Sequence, residues 1–137
     1  MDRKAAYELL ATLDDRETIA LGELALAGLD APITIVTPPT VGMVMARAID
    51  GALGDCFNLG EVLVTQARVA IGDVEGWGMV VGSRPERALA VALVDGALAR
   101  GAAPALAERL EALAAARRVA HPDWQAIEAT RVVFDNF

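Results

Sequence analysis

Cysteine and histidine each occur once in the 137 residues, as Cys56 and His121. A single cysteine excludes an intrachain disulfide and a multi-thiolate metal site, and a solitary histidine has no second imidazole with which to share a metal. Aromatic residues make up only 4% of the chain. No apolar run reaches the roughly 20 residues needed to cross a bilayer. The opening residues MDRKAAYELL place charges where a signal peptide needs an apolar segment, so a cytoplasmic protein of bacterial type is expected. Basic residues are outnumbered 12 to 19 by acidic ones, giving a net charge of -7 and a pI near 4.6. That is the wrong sign for neutralising phosphates, and it argues against nucleic acid as a partner. Recognised chemical signatures are missing too: there is no Walker sequence, no GxGxxG turn after a strand, no HExxH and no nucleophile elbow.

Apolar residues, by contrast, are abundant. At 55% hydrophobic with a mean hydropathy of +0.40, the chain carries more apolar surface than a lone domain of this size needs. Such an excess is expected on a surface that another subunit covers, so the composition predicts an oligomer or a complex subunit.

Ala6, Leu9, Leu10 and Leu13 recur at helical spacing and predict a helix from Asp2, its N-cap, to about Ala11. A second helix is expected from Asp14 or Asp15 to Gly28, completing a helical hairpin. From Ile33 the pattern turns to β: ITIV, then Pro38 and Pro39, which forbid helix, then the densely apolar VGMVMARAI. Asp50, Gly51, Gly54 and Asp55 supply a turn, and CFNLGEVLVTQARVAI reads as a long strand with a bulge or close approach at Gly60. GDVEG is read as another turn and WGMVVG as a short strand ending at Gly82.

Ser83, with Glu86 three residues on, has the spacing of a capping box at the head of a helix. The body of that helix, ALAVALVDGALA, is apolar almost all round and so is expected to be buried against the sheet and a neighbouring chain. Gly101 ends it. Pro104–Arg118 forms another helix with a Leu106, Leu110, Leu113 stripe, Asp123 caps a short helix to about Thr130, and the tail TRVVFDNF is extended or loosely helical and docked. The expected fold is a single α+β domain over 1–137: an N-terminal helical hairpin, an antiparallel sheet of about four strands, and C-terminal helices packed on one face.

No residue set announces catalysis, and none is expected to. His121 has no visible partner, and Cys56, flanked by Asp55, reads as a buried strand thiol. Glu61 interrupts an apolar strand, with Arg68 as its candidate ion-pair partner. Arg84 and Arg87 sit at a helix start, where they oppose the dipole unless an anion or an acidic side chain meets them. The glycines Gly76, Gly78 and Gly82 are spaced too loosely for a dinucleotide turn and are read as turn or bulge positions. Trp77, Trp124, Phe57 and Phe134 are read as packing or interface anchors. The candidates for interface or structural roles are therefore Phe57, Gly60, Glu61, Arg68, Gly82, Arg84 and Phe134.

Three linked features go further: the glycine, apolar strand and arginine from Gly42 to Arg47, the glycine, acid and threonine-bearing strand from Gly60 to Val69, and the Gly82–Leu98 cap and alanine-rich helix ending in Val94, Asp95 and Gly96. In this order the chain resembles the PhnG family of the phosphonate carbon–phosphorus lyase system. The resemblance implies a core-complex subunit acting with three other core subunits and an ATP-binding-cassette protein. In that system a phosphonate displaces adenine from the ribose of MgATP to give a ribose 1-phosphonate 5-triphosphate, and a radical enzyme later breaks the carbon–phosphorus bond. The resemblance assigns this subunit to the first step and the chemistry to a nucleosidase-like partner. It thus implies no cofactor on this chain and MgATP as the substrate of the assembly. A homo-oligomer in isolation, a stand-alone homodimeric anion-binding module using Arg84 and Arg87, and a small hydrolase using Glu61 and Arg68 with Cys56 or His121 remain open alternatives.

Overall fold

The computed structural model describes residues 1–52, 54–101, 103–120 and 131–135. Aspartates start both N-terminal helices. Asp2 accepts from the Ala5 N–H at 2.7 Å to open α1 (Arg3–Leu10), and Asp14 accepts from the Glu17 N–H at 2.8 Å to open α2 (Asp15–Ala27). Three strands follow, β1 (Ile33–Ile49), β2 (Cys56–Ile71) and β3 (Val74–Val81), then α3 (Pro85–Arg100), α4 (Pro104–Ala120) and β4 (Arg131–Asp135). The architecture is α+β, with helices before and after an antiparallel sheet. Among the described residues no single helix is long and apolar enough to cross a membrane.

β1, β2 and β3 form an antiparallel meander, and β4 adds to the far side of β1, giving the order β3-β2-β1-β4. Strand limits differ from the sequence expectation in two places. Ile33–Ile49 is one strand that runs through Pro38 and Pro39, with register shifts between Ile35 and Thr37 and between Thr37 and Thr40. Proline is tolerated there because the outer side of this part of β1 carries no strand among the described residues, so no ladder bond is lost. The GDVEG turn shrinks to Gly72 and Asp73, with Gly72 at φ +62°, and Val74 already pairs with Ile71. The tail, expected to be extended or loosely helical and docked, is extended as β4 and pairs with β1. The expected short helix at Asp123–Thr130, with His121 and Trp124, lies outside the described residues.

α3 is the centre of the molecule. Its Ala88 and Ala92 pack on Ala67, Val69 and Ile71 of β2, while Val91, Val94 and Ala97 on its other side join Leu9, Leu10, Leu21, Leu106 and Leu110 from α1, α2 and α4. The helix that is apolar all round is therefore buried within its own chain, which corrects the expectation that a neighbouring chain would cover it. α3 lies so close to β3 that a Cβ on Gly76 would collide with the Ala92 carbonyl and one on Gly78 with the Ala88 carbonyl. Gly76 and Gly78 thus serve helix–sheet approach rather than turn or bulge geometry. Gly60 does sit at a bulge: at φ +120° it faces Ala46, and the register then skips Leu59 so that Arg47 faces Asn58.

Candidate functional site

The helix start at α3 is satisfied from the sheet. Thr65, fully buried in β2, accepts from the Arg84 N–H at 2.9 Å and donates to the Gly82 carbonyl at 2.6 Å. The N-cap is Arg84, one residue beyond Ser83, so the expected Ser83 capping box is not formed, and Thr65 from β2 meets the N–H of the N-cap residue itself. Arg84 and Arg87 converge on Asp15 of α2, at 2.5 and 2.9 Å. Arg87 also donates to the carbonyls of Leu10 and Leu13, closing the C-terminal end of α1. The Arg87 hydrogen bond, helped by Arg84, holds the Asp15 carboxyl below the usual carboxylate range. The acidic partner that these arginines need is thus supplied by the chain itself.

A second polar cluster ties α1, β3 and α3 together. Asp95, 5% exposed in the middle of α3, receives both Nε and a terminal nitrogen of Arg3 at 2.7 and 2.6 Å, and the backbone N–H of Trp77 at 2.9 Å. Arg3 reaches on to the Glu75 carbonyl, and the Tyr7 hydroxyl donates to the Trp77 carbonyl. These bonds cap the free edge of β3, which would otherwise present a row of unpaired groups. Burial and the nearby Asp95 charge push the Tyr7 phenol up from its ordinary value, and hydrogen bonding to Asp95 raises that of Arg3.

Beside this cluster a groove of about 1130 Å³ runs between α1 and β3, walled by Tyr7, Leu10, Trp77, Met79 and Val81. Of the charged groups that line it, Arg3, Asp15, Arg84, Arg87 and Asp95 are engaged with one another or with backbone, Asp14 caps α2, and Lys4 pairs with Glu8 at 3.7 Å. The arrangement binds elements together and sets no nucleophile beside a base. Among the described residues no group of three or more His, Cys, Asp or Glu is placed to hold a metal ion.

The residues singled out from the sequence do not converge. Phe57, Gly60 and Glu61 lie at the outer end of the β1–β2 hairpin, Arg68 near its other end, Gly82 and Arg84 at the head of α3, and Phe134 in β4 opposite Ala46. Glu61 and Arg68 are seven residues apart on one strand, on the order of 23 Å. Arg68 pairs instead with Glu75 across the β2–β3 ladder at 2.5 Å, which corrects the expected Glu61 partnership. Cys56 is exposed rather than buried, because it opens β2 beyond the reach of the helices. Most of the large apolar side chains left exposed lie on β1 and β2, and at the outer end of the hairpin Phe57 is 52% and Leu59 56% exposed.

Sequence reasoning passed over Asp95, Arg3, Tyr7 and Thr65 as interacting groups. The signal was present for one of them, since a carboxylate within an apolar-all-round helix must find a buried partner.

The family described as phosphonate metabolism protein PhnG matches residues 1–137. The chain is also 40% identical over 122 residues to the α-D-ribose 1-methylphosphonate 5-triphosphate synthase subunit PhnG of Rhizobium meliloti (strain 1021), a match covering 83% of this chain and 78% of that relative.

Proposed function

This chain belongs to the PhnG family of phosphonate metabolism proteins, and from that membership we propose that it is a non-catalytic subunit of a ribose 1-methylphosphonate 5-triphosphate synthase. The assembly would transfer a phosphonate to the ribose of MgATP with loss of adenine. MgATP enters as the substrate of the whole assembly, and the displacement is carried out on a nucleosidase-like partner subunit. This chain contributes a rigid scaffold, in the cytoplasm, and takes no cofactor of its own.

One observation carries the reading. The ionic groups in and around the core, Asp95 with Arg3 and Asp15 with Arg84 and Arg87, are committed to holding elements together, while large apolar side chains face outward at Phe57 and Leu59. A surface of that kind suits subunit docking and does not suit chemistry on a triphosphate. The docking surface is accordingly the outer end of the β1–β2 hairpin rather than α3, which the chain's own helices cover.

The test is co-expression with the other core subunits, size-exclusion chromatography with light scattering, and adenine release from MgATP plus methylphosphonate. Co-elution, with release that requires this chain, is the expected result. Elution alone, with release proceeding in its absence, would overturn the reading.

A further inference from the structure

Trp77 has its backbone tied on both sides: its N–H donates to Asp95 at 2.9 Å, and its carbonyl accepts from the Tyr7 hydroxyl. The residue carried by this fixed backbone is nonetheless 39% exposed. A large aromatic side chain held in place and left open makes a stacking platform, because little conformational freedom remains to be lost when a flat ligand settles on it.

Strand alternation assembles a floor beside it. Ala67, Val69 and Ile71 pack with α3, so Gln66 and Arg68, which alternate with them, are turned to the opposite face of β2. The ladders set Trp77 and Thr37 on either side of Arg68, and Thr40 across from Gln66. All five line one depression of about 980 Å³, together with Gly42 and the buried Val64, which face each other across β1 and β2. Gly42 keeps the depression open, since a Cβ there would meet nothing within 4 Å. A volume of this size admits a small organic ligand.

The lining selects the chemistry of that ligand. Both cations here are already neutralised, Arg68 by Glu75 at 2.5 Å and Arg3 by Asp95 at 2.6 Å, and a net charge of -7 adds no attraction for an anion. The Gln66 amide and the Thr37 hydroxyl, by contrast, make no hydrogen bond among the described residues. An amide donor, an amide acceptor and a hydroxyl are thus open beside an indole.

We propose that this depression binds an uncharged nitrogen heterocycle of nucleobase type, stacked on Trp77 and read at its edge by Gln66 and Thr37. An indole stacks on the flat face of any base. A glutamine side chain presents a donor and an acceptor side by side, which matches the adjacent acceptor and donor on the rim of such a ring. A phosphate would find no free cation here, and an aliphatic ligand would leave the amide and the hydroxyl unmet. The site does not depend on the proposed subunit role, since the binding belongs to this chain alone.

The chain has two tryptophans, so in a Trp124→Phe background Trp77 alone reports. Its emission, excited beyond the absorption of adenine, should be quenched saturably by adenine and to a similar extent by adenosine. Gln66→Leu should weaken adenine binding at least tenfold while far-UV circular dichroism and thermal midpoint stay unchanged. By calorimetry Trp77→Leu should also lose at least tenfold, and Trp77→Phe should recover most of that loss. ATP should bind more weakly than adenosine, because its phosphates meet a negatively charged chain, and inorganic phosphate should neither quench nor compete. An absence of saturation by adenine up to its solubility limit, binding indifferent to Gln66→Leu, or ATP held more tightly than adenosine would each overturn the proposal.

Discussion

Trp77 and Asp95 are joined across the β3–α3 contact by a 2.9 Å hydrogen bond in which the backbone N–H of the strand residue donates to the carboxylate of the helix residue. A buried carboxylate is costly unless its lone pairs are filled. Here Arg3 fills the remainder from the first turn of the chain, so one side chain in the middle of α3 fixes both the strand edge beside it and the helix outside it.

Removing either ionic partner strands the other. Asp95→Leu leaves the Trp77 N–H unmet, and Arg3→Met leaves a buried carboxylate with one donor. Each should destabilise the fold by about 3 kcal/mol, read as a lower urea midpoint at unchanged slope. The double variant should lose clearly less than the two single losses added together, because the groups act as one unit. Additive losses would mean that the contact does not couple α1 to α3.

The Asp15 carboxyl gives the acid limb a definite sign. Its pKa is held below the ordinary 3.8 by Arg87 and Arg84. The stabilisation it supplies is therefore complete above that value and is lost as pH falls through the lower, folded-state value. Wild type should lose stability below about pH 4 more steeply than Asp15→Asn, with the two curves converging at the acid end. Parallel curves in acid denaturant titrations would show that the arginines do not act through this carboxylate.

Tyr7 works at the other end of the scale. Burial raises its phenol above the ordinary 10.0, so the folded state favours the neutral form, and that contribution is present below pH 10 and lost as pH rises above it. Alkaline unfolding followed by fluorescence should begin at higher pH in Tyr7→Phe than in wild type, even though the variant is less stable near neutrality for want of its bond to Trp77.

Much of this molecule could be read from local patterns, and what could not was nonlocal. The caps at Asp2 and Asp14, the stop at Gly101 with φ +78°, and the bulge at Gly60 depend on a few neighbouring residues and stand where the sequence placed them. Pro38 and Pro39 locally forbid only helix, and β1 continues through them because that side of the strand has no neighbour to bond among the described residues. Ser83 has the right spacing for a cap, but the helix starts one residue later, with Arg84 as the N-cap and its N–H met by Thr65 from β2. Arg3 and Asp95 are 92 positions apart, and no periodicity links them. Their meeting is decided by how closely α3 settles on Gly76 and Gly78.

That close seating makes its own prediction. Gly78→Ala drives a methyl into the Ala88 carbonyl, which is backbone and has nowhere to move without lifting α3. A loss of about 3 kcal/mol is expected from such overpacking. Gly101→Ala, where only the left-handed backbone is at stake and nothing lies within 4 Å, should cost about 1 kcal/mol. Thermal midpoints of the two variants separate a steric requirement from a conformational one, and equal losses would remove the case for a helix pressed onto the strand.

Phe57 and Leu59 distinguish docking from folding. Both side chains are more than half exposed, so Phe57→Glu and Leu59→Glu should leave the stability of the isolated chain within about 0.5 kcal/mol of wild type. In the assembly the same changes put a charge where an apolar contact is proposed, and co-elution with the other core subunits should weaken by at least tenfold. Arg68→Ala, which removes a half-exposed ion pair with Glu75, serves as the control that alters surface charge without touching the hairpin end. If the glutamates change neither co-elution nor adenine release, subunit docking must lie elsewhere. The apolar groove between α1 and β3 would then be the next surface to substitute, with Trp77 and Val81 as its exposed large apolar positions.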